Sequence, residues 1–203
     1  MIAKIVSIKL FTSLNYFRYL LGLSLLIIVA FLGLANASDK ELRISDERGQ
    51  LTTDMNLEDW SYHRKIMGLP HVFLKPTKNK KHSSMSITFS GHKTLMEKKV
   101  LKKKTDEYTQ GRKQWAKKRK AVKIKKFYPY KYIETENKIK IHILGFEYST
   151  AYLKSIKENS IYLNCPDDSL IHIKIFLLPE HFKFESKLIN FVKSIKSCKR
   201  HQT

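Results

Sequence analysis

The chain has 203 residues, 28% of them charged and 42% hydrophobic, with 39 basic side chains against 18 acidic ones and a formal charge of +21. That length suits one domain with appendages, and that balance excludes both a wholly disordered chain and a polytopic membrane protein. Seven Gly and five Pro exclude a collagen-like chain, and two Cys exclude a disulfide-dense scaffold or a four-cysteine zinc site.

Before Asp39 the only charges are Lys4, Lys9 and Arg18, and Leu20 to Leu34 is an uncharged apolar run. Ala35-Asn36-Ala37 follows it, a small-x-small site with Ser38 next. A basic n-region, an apolar h-region and such a site make residues 1–37 a Sec-type signal peptide, cleaved after Ala37 because Ala35 and Ala37 fit a leader peptidase's shallow pockets. The long n-region leaves a retained anchor as the alternative, but the apolar run falls short of the roughly 20 residues a span needs. No cysteine directly follows the run, so no lipoprotein modification is expected. Cleavage removes three basic residues and no acidic one, which leaves the exported chain, periplasmic or secreted, at +18.

Residues 38–58 carry alternating charges and few large apolar groups, which predicts a flexible arm. Residues 59–203 then form a single domain. His71 to Lys75, and Met85, Ile87 and Phe89 alternating with small polar residues, predict a hairpin over 71–90 around the polar connection PTKNKKHSS. Residues 93–126 hold fifteen Lys and Arg against Glu97, Asp106 and Glu107. A basic loop is expected over 93–106 and a helix over 107–120, docked through Tyr108, Trp115 and Leu101.

Ile139, Ile141 and Ile143 alternate with polar residues and predict a strand running to Tyr148. Ile161 and Leu163 open a second strand, Cys165 to Ser169 is a turn by composition, and Ile171 to Leu177 alternates as a third. Phe184, Leu188, Phe191, Val192, Ile195 and Cys198 recur at helical spacing, which predicts an amphipathic helix over 181–197. The order implies an α+β domain, an antiparallel sheet covered by helices and closed by a C-terminal amphipathic helix.

The run from Lys138 to Ser197, with its Cys-Pro-Asp-Asp turn and final helix, resembles the PsbP-like superfamily. That resemblance implies a small exported α/β/α sandwich around an antiparallel sheet, in an accessory rather than catalytic role.

Cys165 and Cys198 are expected to pair, two free thiols being the alternative. A strand leaves the turn for about 30 Å and a helix returns for about 25 Å, which brings the helix end back to the turn. His142 and His172 lie at polar positions of predicted strands and could bind a metal if those strands paired. Solvated histidines are the plainer reading, and no metal or cofactor is assigned. Asp167 and Asp168 are turn residues, and Glu134 and Glu136 are partners for nearby lysines. No nucleophile elbow, phosphate-binding loop or dinucleotide fingerprint occurs.

The basic segment is the strongest functional feature. Lys98, Lys99, Lys102, Lys103, Lys104, Arg112, Lys113, Lys117, Lys118, Arg119 and Lys120 are the candidate contacts to an anionic surface, with Trp115, Tyr128 and Tyr130 as aromatic contacts. The expected function is that of a non-enzymatic exported domain binding phospholipid, lipopolysaccharide, a wall polymer or extracellular nucleic acid. The alternative is a periplasmic accessory or assembly factor that binds a protein partner, its lysines serving solubility. A small hydrolase, the third reading, requires a polar triad.

Overall fold

The computed structural model describes residues 41–66, 68–90 and 98–201, with the side chains of 98–104 outside that description. The leader, with Ala35, Ala37 and Ser38, lies outside the described residues, and so do the side chains of Lys98, Lys99, Lys102, Lys103 and Lys104.

Among the described residues the chain is mainly β. Its strands are β1 (Leu42–Asp46), β2 (Gly49–Thr53), β3 (Ser61–Ile66), β4 (Leu69–Pro76), β5 (His82–Phe89), β6 (Lys123–Phe127), β7 (Lys131–Glu134), β8 (Lys140–Ser149), β9 (Ile156–Asn164), β10 (Leu170–Leu177) and β11 (Ile195–Arg200). Two α-helices interrupt them, α1 (Lys98–Lys117) and α2 (Glu185–Lys193), the second entered through a 3-10 turn over Pro179–Phe184. An eight-stranded antiparallel sheet has the order β3-β4-β5-β10-β9-β8-β6, with β7 also on β8, and β1-β2-β11 form a second sheet.

This corrects the expected α+β arrangement of a sheet covered by helices. The predicted arm at 38–58 supplies two strands of the smaller sheet. The predicted loop over 93–106 is already helical from Lys98, and the predicted helix over 181–197 ends at Lys193. Its last segment turns into β11 because Ile195 and Cys198 are buried against β2, while Ser194 and Ser197 hydroxyls bond those of Thr53 and Thr52, each at 2.7 Å.

Strand alternation divides the large sheet into two faces. Ile171, Ile173 and Ile175 of β10 register with Leu163, Ile161 and Asn159 of β9, and these with Ile141, Ile143 and Gly145 of β8. That face forms the main core with Phe73, Met85, Ile87 and Phe89, closed by Leu188, Phe191 and Val192 of α2 and by Ile44 and Leu51 of the small sheet. Each such buried side chain contributes about 1.5–3 kcal/mol. Gly145 is required there, since a Cβ would stand 2.3 Å from Asn159 Oδ1.

The opposite face carries a smaller cluster of Phe146, Tyr148, Ile156 and Leu178. Helix α1 lies on it through Tyr108 and Trp115, whose spacing of seven puts them on one helical stripe. Trp115 meets Phe146 and Tyr148 edge-on, at centroid distances of 6.1 and 5.3 Å.

Candidate anionic-surface interface

Hairpin topology, rather than sequence proximity, decides which cations stand together. Thr77–Lys81 joins β4 to β5, residues 118–122 lead into β6, and Thr150–Ser155 joins β8 to β9. Phe176 registers with Ser84, Leu177 with Lys157, Tyr148 with Ile156 and Ser149 with Lys123, so all three connections open on the same end of the large sheet. The 3-10 turn after β10 opens there too. The exposed cations on these connections are Lys78, Lys80, Lys81, Lys118, Arg119, Lys120 and Lys154, flanked by Lys117 and Lys123. From β5 to β6 the row crosses four strand spacings, about 19 Å. Glu180 on the 3-10 turn accepts a hydrogen bond from the Lys78 backbone N–H.

Each connection is held by its own hydrogen bonds. Thr77 N–H and Oγ1 both donate to Lys81 O, at 2.7 and 3.0 Å. Val122 N–H donates to Arg119 O at 2.8 Å. Thr150 N–H donates to Leu153 O, while Thr150 Oγ1 accepts from Tyr152 and Leu153 N–H. That last turn presents Tyr152 at its tip, 88% exposed.

The structure separates the residues named from sequence into two groups. Lys113, Lys117, Lys118, Arg119 and Lys120 are exposed, and the Arg119 guanidinium rests 5.0 Å from the Trp115 ring. Arg112 points the other way. It meets Glu158 Oε1 at 2.9 Å, where Lys174 also reaches it at 3.3 Å, and the Glu158 side chain is only 4% exposed. Trp115 is half-buried under the helix. Tyr128 is half-buried and donates to Glu147 Oε2, and its phenol is pushed upward, first by burial and then by that carboxylate. Tyr130 meets His142 Nδ1 at 2.8 Å. None of these aromatics is displayed as Tyr152 is. Lys125 and Lys126 both lie within 3.6 Å of Glu147.

Sequence reasoning missed Lys78, Lys80 and Lys81, read only as a polar connection, and Tyr152. The hairpin over 71–90 contained the signal, because its tip has to lie at an end of the sheet.

His142 and His172 are not cross-strand neighbours. Tyr162 of β9 registers with both, and its ring stacks on His172 at 4.6 Å. Tyr162 therefore stands between the two histidines, and the described residues contain no group of three metal-ligating side chains. His172 is half-buried rather than solvated, with its Nε2 out of reach of solvent, and desolvation, then Lys174 and Arg112, push its pKa down to about 4. Asp167 is an anchor within its turn. Its Oδ1 accepts from Ser169 N–H and its Oδ2 from the Arg200 N–H of β11.

One chain of polar groups has the form of a triad. Tyr62 Oη lies 2.7 Å from His71 Nδ1, and His71 Nε2 lies 3.5 Å from Asp46 Oδ2. The group at its end is a phenol rather than a serine or cysteine. Burial, before any effect of Asp46 or Arg64, holds the His71 pKa below its ordinary value.

Cys165 and Cys198 form a disulfide with Cα atoms 5.6 Å apart. It joins the end of β9 to β11 rather than to a helix, and so links the two sheets.

No protein-family model and no curated protein matches the chain. Among solved structures it is similar to cyanobacterial PsbP (CyanoP) from Synechocystis sp. PCC 6803, with a TM-score of 0.46 and 9% identity, over 79% of this chain and 94% of that one. It is also similar to PA94 from Pseudomonas aeruginosa, a protein of unknown function and putative regulator, with a TM-score of 0.39 and 9% identity, over 76% and 94%. A cyanobacterial PsbP is thus among the solved structures that the chain is similar to, as the sequence resemblance named that superfamily.

Proposed function

We propose that the protein is an exported, non-enzymatic domain that binds an anionic surface through the basic end of its large sheet. The supporting observation is the convergence of Lys78, Lys80, Lys81, Lys117, Lys118, Arg119, Lys120, Lys123 and Lys154 on connections from separate parts of the chain. Hydrogen-bonded turns fix the backbone that carries Lys78, Lys80, Lys81 and Lys154, so little backbone ordering remains to be lost when they meet phosphates or carboxylates. Lysines beside an acidic bilayer each gain about 1 kcal/mol, and on any polyanion they release counterions. Tyr152 adds an amphipathic ring, suited to an interface or to stacking. The basic leader and apolar run at 1–37 support export. Under this reading the inward Arg112 is a structural residue, and the surface extends beyond the basic segment to the 77–81 turn.

The test is co-sedimentation with phosphatidylglycerol vesicles and retention on heparin, each at two salt concentrations. Reversing Lys78, Lys80 and Lys81 to Glu should weaken binding at low salt and flatten its salt dependence, and so should reversing Lys117, Lys118 and Lys120. Binding unchanged in both triple variants would leave the lysines as a solubilising surface. Salt-insensitive capture of one exported protein would favour the accessory role instead.

A further inference from the structure

A cavity of about 620 Å³ lies between the β1–β2 turn and the β3–β4 hairpin, at the end of the large sheet opposite the basic connections. Its volume falls in the range of small-molecule sites, which combine an apolar wall with a few converging polar groups. Leu69 and Pro70 supply apolar wall here, and Arg64, Lys65, His71 and Asp46 supply polar groups.

Arg64 and Lys65 are consecutive, and in a regular strand they would point to opposite faces. Both line this cavity because the backbone of β3 turns left-handed at Lys65, opposite Pro70, within an otherwise unbroken register. Arg64 pairs with His71 and Ile66 with Leu69, and Lys65 between them has a φ of 55°. A left-handed residue re-aims its side chain in this way, and a left-handed lysine costs energy that a plain strand would not incur.

Asp46 and Glu47 line the same cavity, and their closest charged contacts are His71 and Arg48 rather than Arg64 or Lys65. Asp46 Oδ1 accepts the N–H groups of Arg48 and Gly49, at 2.8 and 3.3 Å, and its Oδ2 faces His71. Glu47 lies 3.9 Å from Arg48. Arg64 gives one donor to Ser45 O at 2.8 Å and keeps the others of its guanidinium. His71 is 1% exposed, and its Nε2 has no hydrogen-bond partner, since Asp46 Oδ2 at 3.5 Å is too far for a good one. The tautomer in which the Tyr62 hydroxyl donates to Nδ1 puts the hydrogen on Nε2, toward Asp46 Oδ2 in the cavity wall.

We propose that this cavity binds a small monocarboxylate with a compact apolar body. Arg64 and Lys65 hold the carboxylate, the His71 Nε2–H stands by as a further donor, and Leu69 and Pro70 cover the apolar part. The site is independent of the anionic-surface reading, from which it is separated by the length of the sheet.

Amide and imidazole chemical shifts of the purified protein, titrated with butyrate, butyramide and inorganic phosphate, test it. Butyrate should give saturable shifts at Arg64, His71 and Thr88, with a dissociation constant of about 0.1–1 mM. Butyramide and phosphate should bind at least about tenfold more weakly, since each lacks one half of the ligand. Arg64→Gln should weaken butyrate binding by about tenfold or more, and Leu69→Ser, which leaves the charges in place, should weaken it too. Lys193→Gln at the end of α2 should leave it unchanged. Absence of saturable shifts, equal binding of butyramide, binding of phosphate as tight as butyrate, or an undiminished affinity in Arg64→Gln would each overturn the proposal.

Discussion

At the scale of single residues, the positive charges of this chain have unlike tasks. Glu158 is buried beneath α1 and held by Arg112 and Lys174. Removing the arginine leaves a buried carboxylate with one partly exposed partner, and unpairing a buried charge is costly. Arg112→Ala should therefore destabilise the fold by about 2–3 kcal/mol in urea unfolding, discounted for the arginine's partial exposure. Lys113→Ala, one position on and exposed, should stay within about 0.5 kcal/mol. Nearby, His172 lies between Tyr162 and the cations of Arg112 and Lys174, with its pKa lowered to about 4, first by burial. The unfolded chain takes up this proton near pH 6.5 and the native state only near 4, so stability present above 6.5 is lost as the pH falls through that window. The loss should reach about 2–3 kcal/mol by pH 4.5. His172→Phe keeps a ring against Tyr162 and should remove that share of the acid sensitivity, read as the change in urea midpoint between pH 7 and 4.5. An unaltered pH dependence in that variant would place the sensitivity elsewhere, His71 and His181 being the next groups, since burial lowers both.

At the scale of elements, the disulfide couples β9 to β11 across a sequence separation of 33 residues. Chain entropy assigns such a loop about 4 kcal/mol. Cys165→Ser should lower the melting temperature, reductant should do the same to the wild type, and the two together should be no worse than either. The pair was legible from sequence, although the returning element was not. Ile195 and Cys198 stand three apart after Phe191 and Val192, which continues a helical stripe, and only β2 lying alongside makes that segment a strand. β8, β9 and β10 were readable because isoleucines and leucines alternate along them. β1 and β2 were not, because their buried positions include Gln50, Thr52 and Thr53, whose polarity hides a strand until its partners are known. β6 reads as a lysine run, because only Ile124 and Phe127 of its five residues turn inward. The same limit held for the candidate surface. Lys113 to Lys120 could be found as a cluster in sequence, whereas Lys78, Lys80 and Lys81 join that end only through strand pairing. The inward turn of Arg112 depended on Glu158, 46 positions away.

At the scale of the whole molecule, the fold is closed by pairings distant in sequence. β2 pairs with β11, and β5 with β10. Each requires a long loop to close before its contacts are made, which slows folding relative to a helical protein of this size. With the disulfide intact, refolding from urea should take milliseconds to seconds rather than microseconds, measured by stopped-flow tryptophan fluorescence. Trp60 lies in the main core and Trp115 under α1, so the two report on opposite faces of the sheet.

An open eight-stranded sheet leaves its outermost strands with backbone donors and acceptors that a second copy could adopt, the route by which such sheets polymerise. Here both flanks are guarded. β3 ends the described order on one side and is interrupted by the left-handed Lys65 beside Arg64. β6 flanks the other side and carries lysine at three of its five positions. Charged edge residues, lysine above all, are among the devices by which natural sheets resist strand addition. The basic residues at these flanks therefore also protect the molecule from itself, keeping a strand-rich chain from seeding fibres at high concentration.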